Sequence, residues 1–151
     1  MKLNNLKKNR VFKVVSNKYF LVLFVLSIIV NASFTGCDDT LTNESVDNKD
    51  IPDSNVSFAD HIYPVFQVKC AFSGCHAQPN PANGIDLSTW AGVTADPNIV
   101  FPGEPELSRL IWAIEARAGI SPMPPAGFTT PMTLDQIEGI RTWINEGALD
   151  N

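Results

Sequence analysis

The clearest periodicity lies near the end of the chain. Leu134, Ile137, Ile140, Trp143 and Ile144 recur at the three- and four-residue spacing of one helix face. Thr133 followed by Gln136 is a capping-box pattern that opens this helix, and Gly147 is a natural stop. A second stripe, Leu107, Leu110, Ile111 and Ile114, predicts an amphipathic helix over Glu106–Ala118. Pro64 suits the first turn of a helix from about Tyr63 to Lys69, because its missing N–H would be unpaired there anyway. That helix carries Val65, Phe66 and Lys69 in its early turns. A short helical candidate covers Leu87–Val93, while 80–84 and 97–105 read as loops. No alternating strand pattern and no internal repeat appears. The expectation is a small, mostly α domain over 57–151, with long Pro/Gly-rich loops. A core of that size is modest and gains from a buried cofactor or a disulfide.

The first third of the chain follows different rules. Six of the chain's eleven basic residues fall within the first eighteen positions, and no acidic residue precedes Asp38. The apolar run Tyr19–Val30 is shorter than the roughly 20 residues a bilayer-spanning helix needs, and it matches the hydrophobic region of a secretory signal. Phe34-Thr35-Gly36-Cys37 resembles a bacterial lipobox, with cleavage before a cysteine that receives lipid. The alternatives are a plain signal peptide or an uncleaved anchor. Residues 1–36 are thus read as a lipoprotein signal peptide and Cys37 as the lipid attachment site, placing the protein in the cell envelope on the periplasmic or outer-membrane face. Residues 37–56, rich in Asp, Asn, Ser and Thr and without apolar periodicity, read as a flexible acidic tether that lets the domain sample partners.

Charge follows from that boundary. Removal of 1–36 leaves five basic residues against all sixteen acidic ones, a net side-chain charge of −11. Such a surface steers basic partners and argues against nucleic acid, whose phosphates need a basic face. The sequence holds no Ser/His/Asp set, phosphate loop or paired-carboxylate motif, so an electron carrier rather than an enzyme is expected.

The chemistry concentrates in Cys70-Ala71-Phe72-Ser73-Gly74-Cys75-His76, a CX4CH segment. C-x-x-C-H attaches c-type haem, the adjacent histidine ligating iron. Here four residues separate the cysteines. On a straight helix, cysteines three apart sit about 60° apart around the axis and cysteines five apart about 140°. Both thiols therefore reach one porphyrin edge only from a looped segment, which Gly74 permits. Met123, framed by Pro122, Pro124 and Pro125, is a stiffly held candidate for the opposite axial position, where a thioether favours reduced iron. Met132 and His61 are the other candidates. Without a cofactor, Cys70 and Cys75 would suit a structural disulfide in an exported domain. Zinc would have only Cys70, Cys75 and His76, with His61 as a distant fourth ligand. Trp90, Trp112 and Trp143 lie on or near helical stripes and read as core.

In chain order these residues resemble the planctomycete-type cytochrome c domain, a small c-type cytochrome module of secreted bacterial proteins. The likeness runs from Ile62-Tyr63-Pro64-Val65-Phe66 through Cys70 and Cys75-His76 to Gly84-Ile85-Asp86-Leu87-Ser88. It continues through Val100-Phe101-Pro102-Gly103, Pro105, Ser108 and Leu110 to Met123-Pro124-Pro125 and the helix of Ile137, Ile140, Trp143-Ile144 and Gly147-Ala148. The resemblance implies a cytochrome c-like helical fold, with haem c attached at Cys70 and Cys75, His76 as proximal iron ligand and Met123 as distal ligand. The usual two-residue spacing between the cysteines is four here. The functional expectation is a membrane-tethered monohaem c-type cytochrome transferring single electrons between redox proteins outside the cytoplasm. The alternative is a haem-free lipoprotein binding module braced by a Cys70–Cys75 disulfide.

Overall fold

The computed structural model describes Val22, Phe24 and residues 40–151, of which Leu41–Asn151 form one compact unit. The signal-peptide and Cys37 readings lie outside the described residues. Among the described residues there are five α-helices and no strand, and no helix is long and apolar enough to cross a membrane. The mostly α expectation holds.

The first helix, α1 (Asn43–Asp47), stands where a tether was expected. Thr42 and Ser45 close it with a capping box, and Val46 is buried. Beyond it Ile51 lies against Gly139, so close that a Cβ there would sit 2.6 Å from Ile51 Cγ2. Val56 is 1% exposed, and its N–H, like that of Asn55, donates to the Glu146 carboxylate, at 2.9 and 2.6 Å. Residues 42–56 are therefore a strap folded onto the domain, not a tether. Its three apolar contacts, Val46, Ile51 and Val56, come five residues apart, which matches neither helical nor strand periodicity.

A π-helical turn, Phe58–Ile62, runs into α2 (Tyr63–Lys69), the latter with the bounds the sequence predicts. The Ser57 hydroxyl accepts from the Asp60 N–H, and the Ser57 N–H donates to His61 Nδ1 at 2.9 Å. A 3-10 turn (Ala82–Gly84) precedes α3 (Trp90–Val93), which is shorter than expected because Thr89 caps it. The helix foreseen over Glu106–Ala118 divides into a 3-10 turn, Pro105–Leu107, and α4 (Arg109–Ile114). Ser108, fully buried and extended, separates them. Its hydroxyl accepts from the Phe101 N–H and donates to the Glu104 carbonyl. The helix cannot extend to Ala118 either, since Ala116 takes φ 53°. Leu107, assigned to the apolar stripe, is consequently exposed.

The last helix, α5 (Leu134–Asn145), begins with the Thr133/Gln136 capping box and ends before Gly147 at φ 103°. Leu134, at its first position, is exposed rather than part of the buried face. Ile140, Trp143 and Ile144 are fully buried. The core joins them to Phe58, Ile62, Phe66, Leu87, Val93, Val100 and Ile111. The Phe58 ring centroid lies 5.4 Å from that of Trp143 and 6.4 Å from that of Phe66. Trp90 and Trp112 are half-buried against the core, and each indole N–H finds a carbonyl, that of Ala148 for Trp90 and Glu106 for Trp112.

Candidate functional site

α2 delivers its last residue, Lys69, and then Cys70 into a turn. The chain does not continue as helix. The His76 N–H donates to the Cys70 carbonyl at 3.1 Å and the Cys75 N–H to the Phe72 carbonyl at 2.9 Å, closing a loop over 70–76. Gly74 sits inside it at φ 85°, the left-handed region the reversal requires. The four intervening residues are thus looped out, which removes the angular obstacle that a straight helix would present.

His76 is held at two points by one segment. Its carbonyl accepts from the Leu87 N–H at 2.8 Å, and its Nδ1 lies 3.1 Å from the Ile85 carbonyl oxygen. A carbonyl only accepts, so this bond places the ring proton on Nδ1 and leaves the Nε2 lone pair free for a metal. An imidazole whose other nitrogen donates in this way is fixed in tautomer and orientation and made a stronger donor. Asp86 organises the segment. Its Oδ1 accepts from the Ser88 N–H at 2.8 Å and from the Ser88 hydroxyl, and its Oδ2 accepts from Gln78 Nε2 at 2.8 Å. These bonds, led by the Ser88 hydroxyl and then Gln78, hold the Asp86 carboxyl below its ordinary pKa.

The two cysteines differ. Cys70 is buried, and burial pushes its thiol up to about 12, against a smaller opposing pull from the Lys69 charge. Cys75 is half-buried. Both are free thiols, so the bracing disulfide is not formed in this structure. Among the described residues no group of three or more His, Cys, Asp or Glu side chains gathers as a bare metal site.

Of the three distal candidates, His61 spends its Nδ1 on the Ser57 N–H, and Met132 packs against the core. Met123 is half-buried on a separate segment pinned by its own N–H to the Ala113 carbonyl at 3.0 Å, at the end of α4. The structure therefore brings Cys70, Cys75 and His76 into one loop and anchors Met123 to α4 rather than to that loop. An imidazole whose Nδ1 is held by a carbonyl, two cysteines in the same loop and a methionine outside the core on a separate segment are the residue types that hold a covalently attached iron porphyrin.

Sequence reasoning missed the supports of this loop. Lys69, 1% exposed, places its ammonium 2.6 Å from Asp47 Oδ1, 2.7 Å from the Pro131 carbonyl and 3.0 Å from Thr130 Oγ1. Gln136 Nε2 donates to Asp47 Oδ1 at 3.0 Å and the Thr130 hydroxyl to Asp47 Oδ2 at 2.9 Å. A lysine on a face otherwise lined by Val65 and Phe66 was the one signal available. The Asp86-x-Ser88 spacing of an Asx turn was the corresponding signal for the His76 support.

No curated protein and no solved structure matches the chain. The family model described as Planctomycete cytochrome C matches residues 73–127, a stretch that holds Cys75, His76, the Ile85–Leu87 support and Met123 and stops short of α5. Over residues 73–127 the chain carries the planctomycete-type cytochrome c pattern that its motifs resemble.

Proposed function

We propose that this protein is a membrane-tethered monohaem c-type cytochrome that passes single electrons between redox proteins outside the cytoplasm. The observation that carries the reading is the His76 ring, whose Nδ1 faces the Ile85 carbonyl and whose Nε2 is left free. Haem supplies the one-electron iron couple when bound. The chain's part is to hold and tune it. Cys70 and Cys75 would form the thioether links, and His76 Nε2 and the Met123 thioether would hold the iron. The Ala113 bond and the flanking prolines leave Met123 little ordering entropy to lose. Cys37 carries the lipid that retains the protein in the cell envelope. The acidic surface favours basic electron partners.

The test is a haemochrome spectrum with intact mass on protein exported from a host competent in haem attachment. The expected product is red, keeps its haem through denaturation, and gains one haem in mass. Colourless protein two mass units lighter than its reduced form would instead establish the Cys70–Cys75 disulfide and end the cytochrome reading.

A further inference from the structure

Met123 ends a loop that leaves α4 and returns to it. The Ala113 carbonyl accepts from the Ala116 N–H at 3.2 Å and again from the Met123 N–H at 3.0 Å, so residues 113–123 close on one atom. In between, the Arg117 N–H donates to the Trp112 carbonyl at 2.9 Å, and the Arg117 carbonyl accepts from the Ile120 N–H at 3.1 Å. These backbone bonds all return to α4 or to the loop itself.

The side chains reach further. Arg117 Nε donates to Glu115 Oε2 and Arg117 Nη2 to Glu106 Oε2, each at 2.7 Å. Arg141 of α5 closes the ring, Nη1 on Glu106 Oε1 and Nη2 on Glu115 Oε1. Each carboxylate gives one oxygen to each guanidinium, and the four charges cancel. The Trp112 indole N–H fixes the Glu106 corner, donating to the Glu106 carbonyl at 2.7 Å. A lone surface ion pair contributes little, but here both guanidiniums are forked across two carboxylates in one closed network. The Glu115 and Arg141 side chains are each only 22% exposed.

We propose that this ring is the positioning device of the distal ligand, a role that rests on the reading of Met123 in that position. Arg117 and Glu115 belong to the Met123 loop, Glu106 to the Pro105–Leu107 turn and Arg141 to α5. The prolines stiffen the chain at Met123, and the ring fixes where the loop lies against the rest of the domain. Cutting the ring lets the loop swing about its Ala113 foot, so the thioether leaves the iron more often. The ligand atoms themselves are unchanged.

The test is the rate at which imidazole displaces the thioether in oxidised holoprotein, followed by stopped flow as loss of the far-red sulfur–iron band. Where that rate levels off with imidazole concentration, it reports opening of the loop. Arg141→Met and Arg117→Met are each expected to keep the band at rest and to open roughly tenfold faster than wild type. Arg141→Lys, which keeps the charge without the fork, is expected to fall between. Added salt is expected to speed the wild type more than either Met variant, because the intact ring has more to screen. Ile51→Ala, a change in the strap, is the control and is expected to open at the wild-type rate although its unfolding temperature falls. Wild-type opening in both Met variants, or equal acceleration by Ile51→Ala, overturns the positioning role and leaves Met123 as ligand. Wild-type holoprotein that lacks the band overturns both.

Discussion

Lys69 sets its buried ammonium 2.6 Å from the Asp47 carboxylate, and the pair ties the last residue of α2 to the last residue of α1. Thr130 and Pro131 complete the shell, so the contact also fastens the segment entering α5. The residue after Lys69 is Cys70. The strap and the haem-type loop are therefore supported by the same charge pair.

Removing one partner of such a pair leaves a buried charge without compensation. Asp47→Ala is expected to destabilise the protein by about 3 kcal/mol, read as a lower denaturation midpoint at unchanged slope. Lys69→Met is expected to cost less, because an apolar side chain of similar length fills the site and Asp47, 23% exposed, keeps Gln136 and Thr130 as donors. Equal losses would show that the charge pair is not what the strap depends on.

The same pair sets an acid limit. Burial alone would raise the Asp47 pKa, but hydrogen bonds from Lys69, Gln136 and Thr130, with the Lys69 charge, outweigh it and hold the carboxyl below its ordinary value. Glu115 is lowered likewise, burial being outweighed by bonds from Arg141 and Arg117. A carboxyl lowered on folding contributes stability that is complete above its unfolded pKa, about 4, and is lost as pH falls through the folded value. Stability is expected to be flat from neutral pH to about 5 and to fall steeply below about 4. Asp47→Asn is expected to flatten part of that slope, as acid titration of unfolding would show.

Gly139 answers for the strap from the other side. A Cβ there would meet Ile51 Cγ2 at 2.6 Å, Cδ1 at 2.9 Å and Cβ at 3.1 Å, so Ile51 cannot yield by moving only its tip. Gly139→Ala is expected to cost about 1–3 kcal/mol by overpacking. Ile51→Ala in the same chain is expected to recover part of the loss, a coupling that additive thermal shifts would exclude.

What the sequence disclosed depended on regularity. α2 and α5 were legible because Pro64, the Thr133/Gln136 box and the Ile140, Trp143, Ile144 face follow local rules. The strap was not, because Val46, Ile51 and Val56 come five residues apart, the period of neither helix nor strand, and the partners of the strap, Gly139 and Glu146, lie about ninety residues away. α4 was overextended for a related reason: Ser108 reads as a neutral helix residue until Phe101 and Glu104 claim its hydroxyl. At the site, Cys70, Cys75 and His76 declared themselves by type and adjacency. The carbonyl of Ile85 that orients His76 belongs to the backbone, and its side-chain trace is the Asp86-x-Ser88 spacing beside it rather than any residue that touches the ring.

That orientation is open to a remote test through Gly92. A Cβ there would lie 2.8 Å from the Asp86 carboxylate and from the Asp86 carbonyl oxygen, pressing on the segment whose Ile85 and Leu87 hold His76. A looser Nδ1–H···O bond makes the imidazole a poorer donor and stabilises oxidised iron less. Gly92→Ala is therefore expected to raise the reduction potential in a redox titration. Gly139→Ala, a comparable strain placed away from His76, is expected to leave the potential unchanged and serves as the control.

The distal position separates two methionines with different surroundings. Met132 packs against the core, whereas Met123 is fixed by its backbone to Ala113 and its thioether has no place in that core. Met123→Leu is expected to abolish the far-red sulfur–iron band of the oxidised holoprotein. It is also expected to lower the potential, since a thioether ligand favours reduced iron. Met132→Leu, nearly volume-conserving, is expected to keep the band and cost less than about 1.5 kcal/mol. The reverse pattern, with the band lost only on changing Met132, would move the ligand to the core side and leave Met123 as a loop residue whose stiffness serves the fold alone.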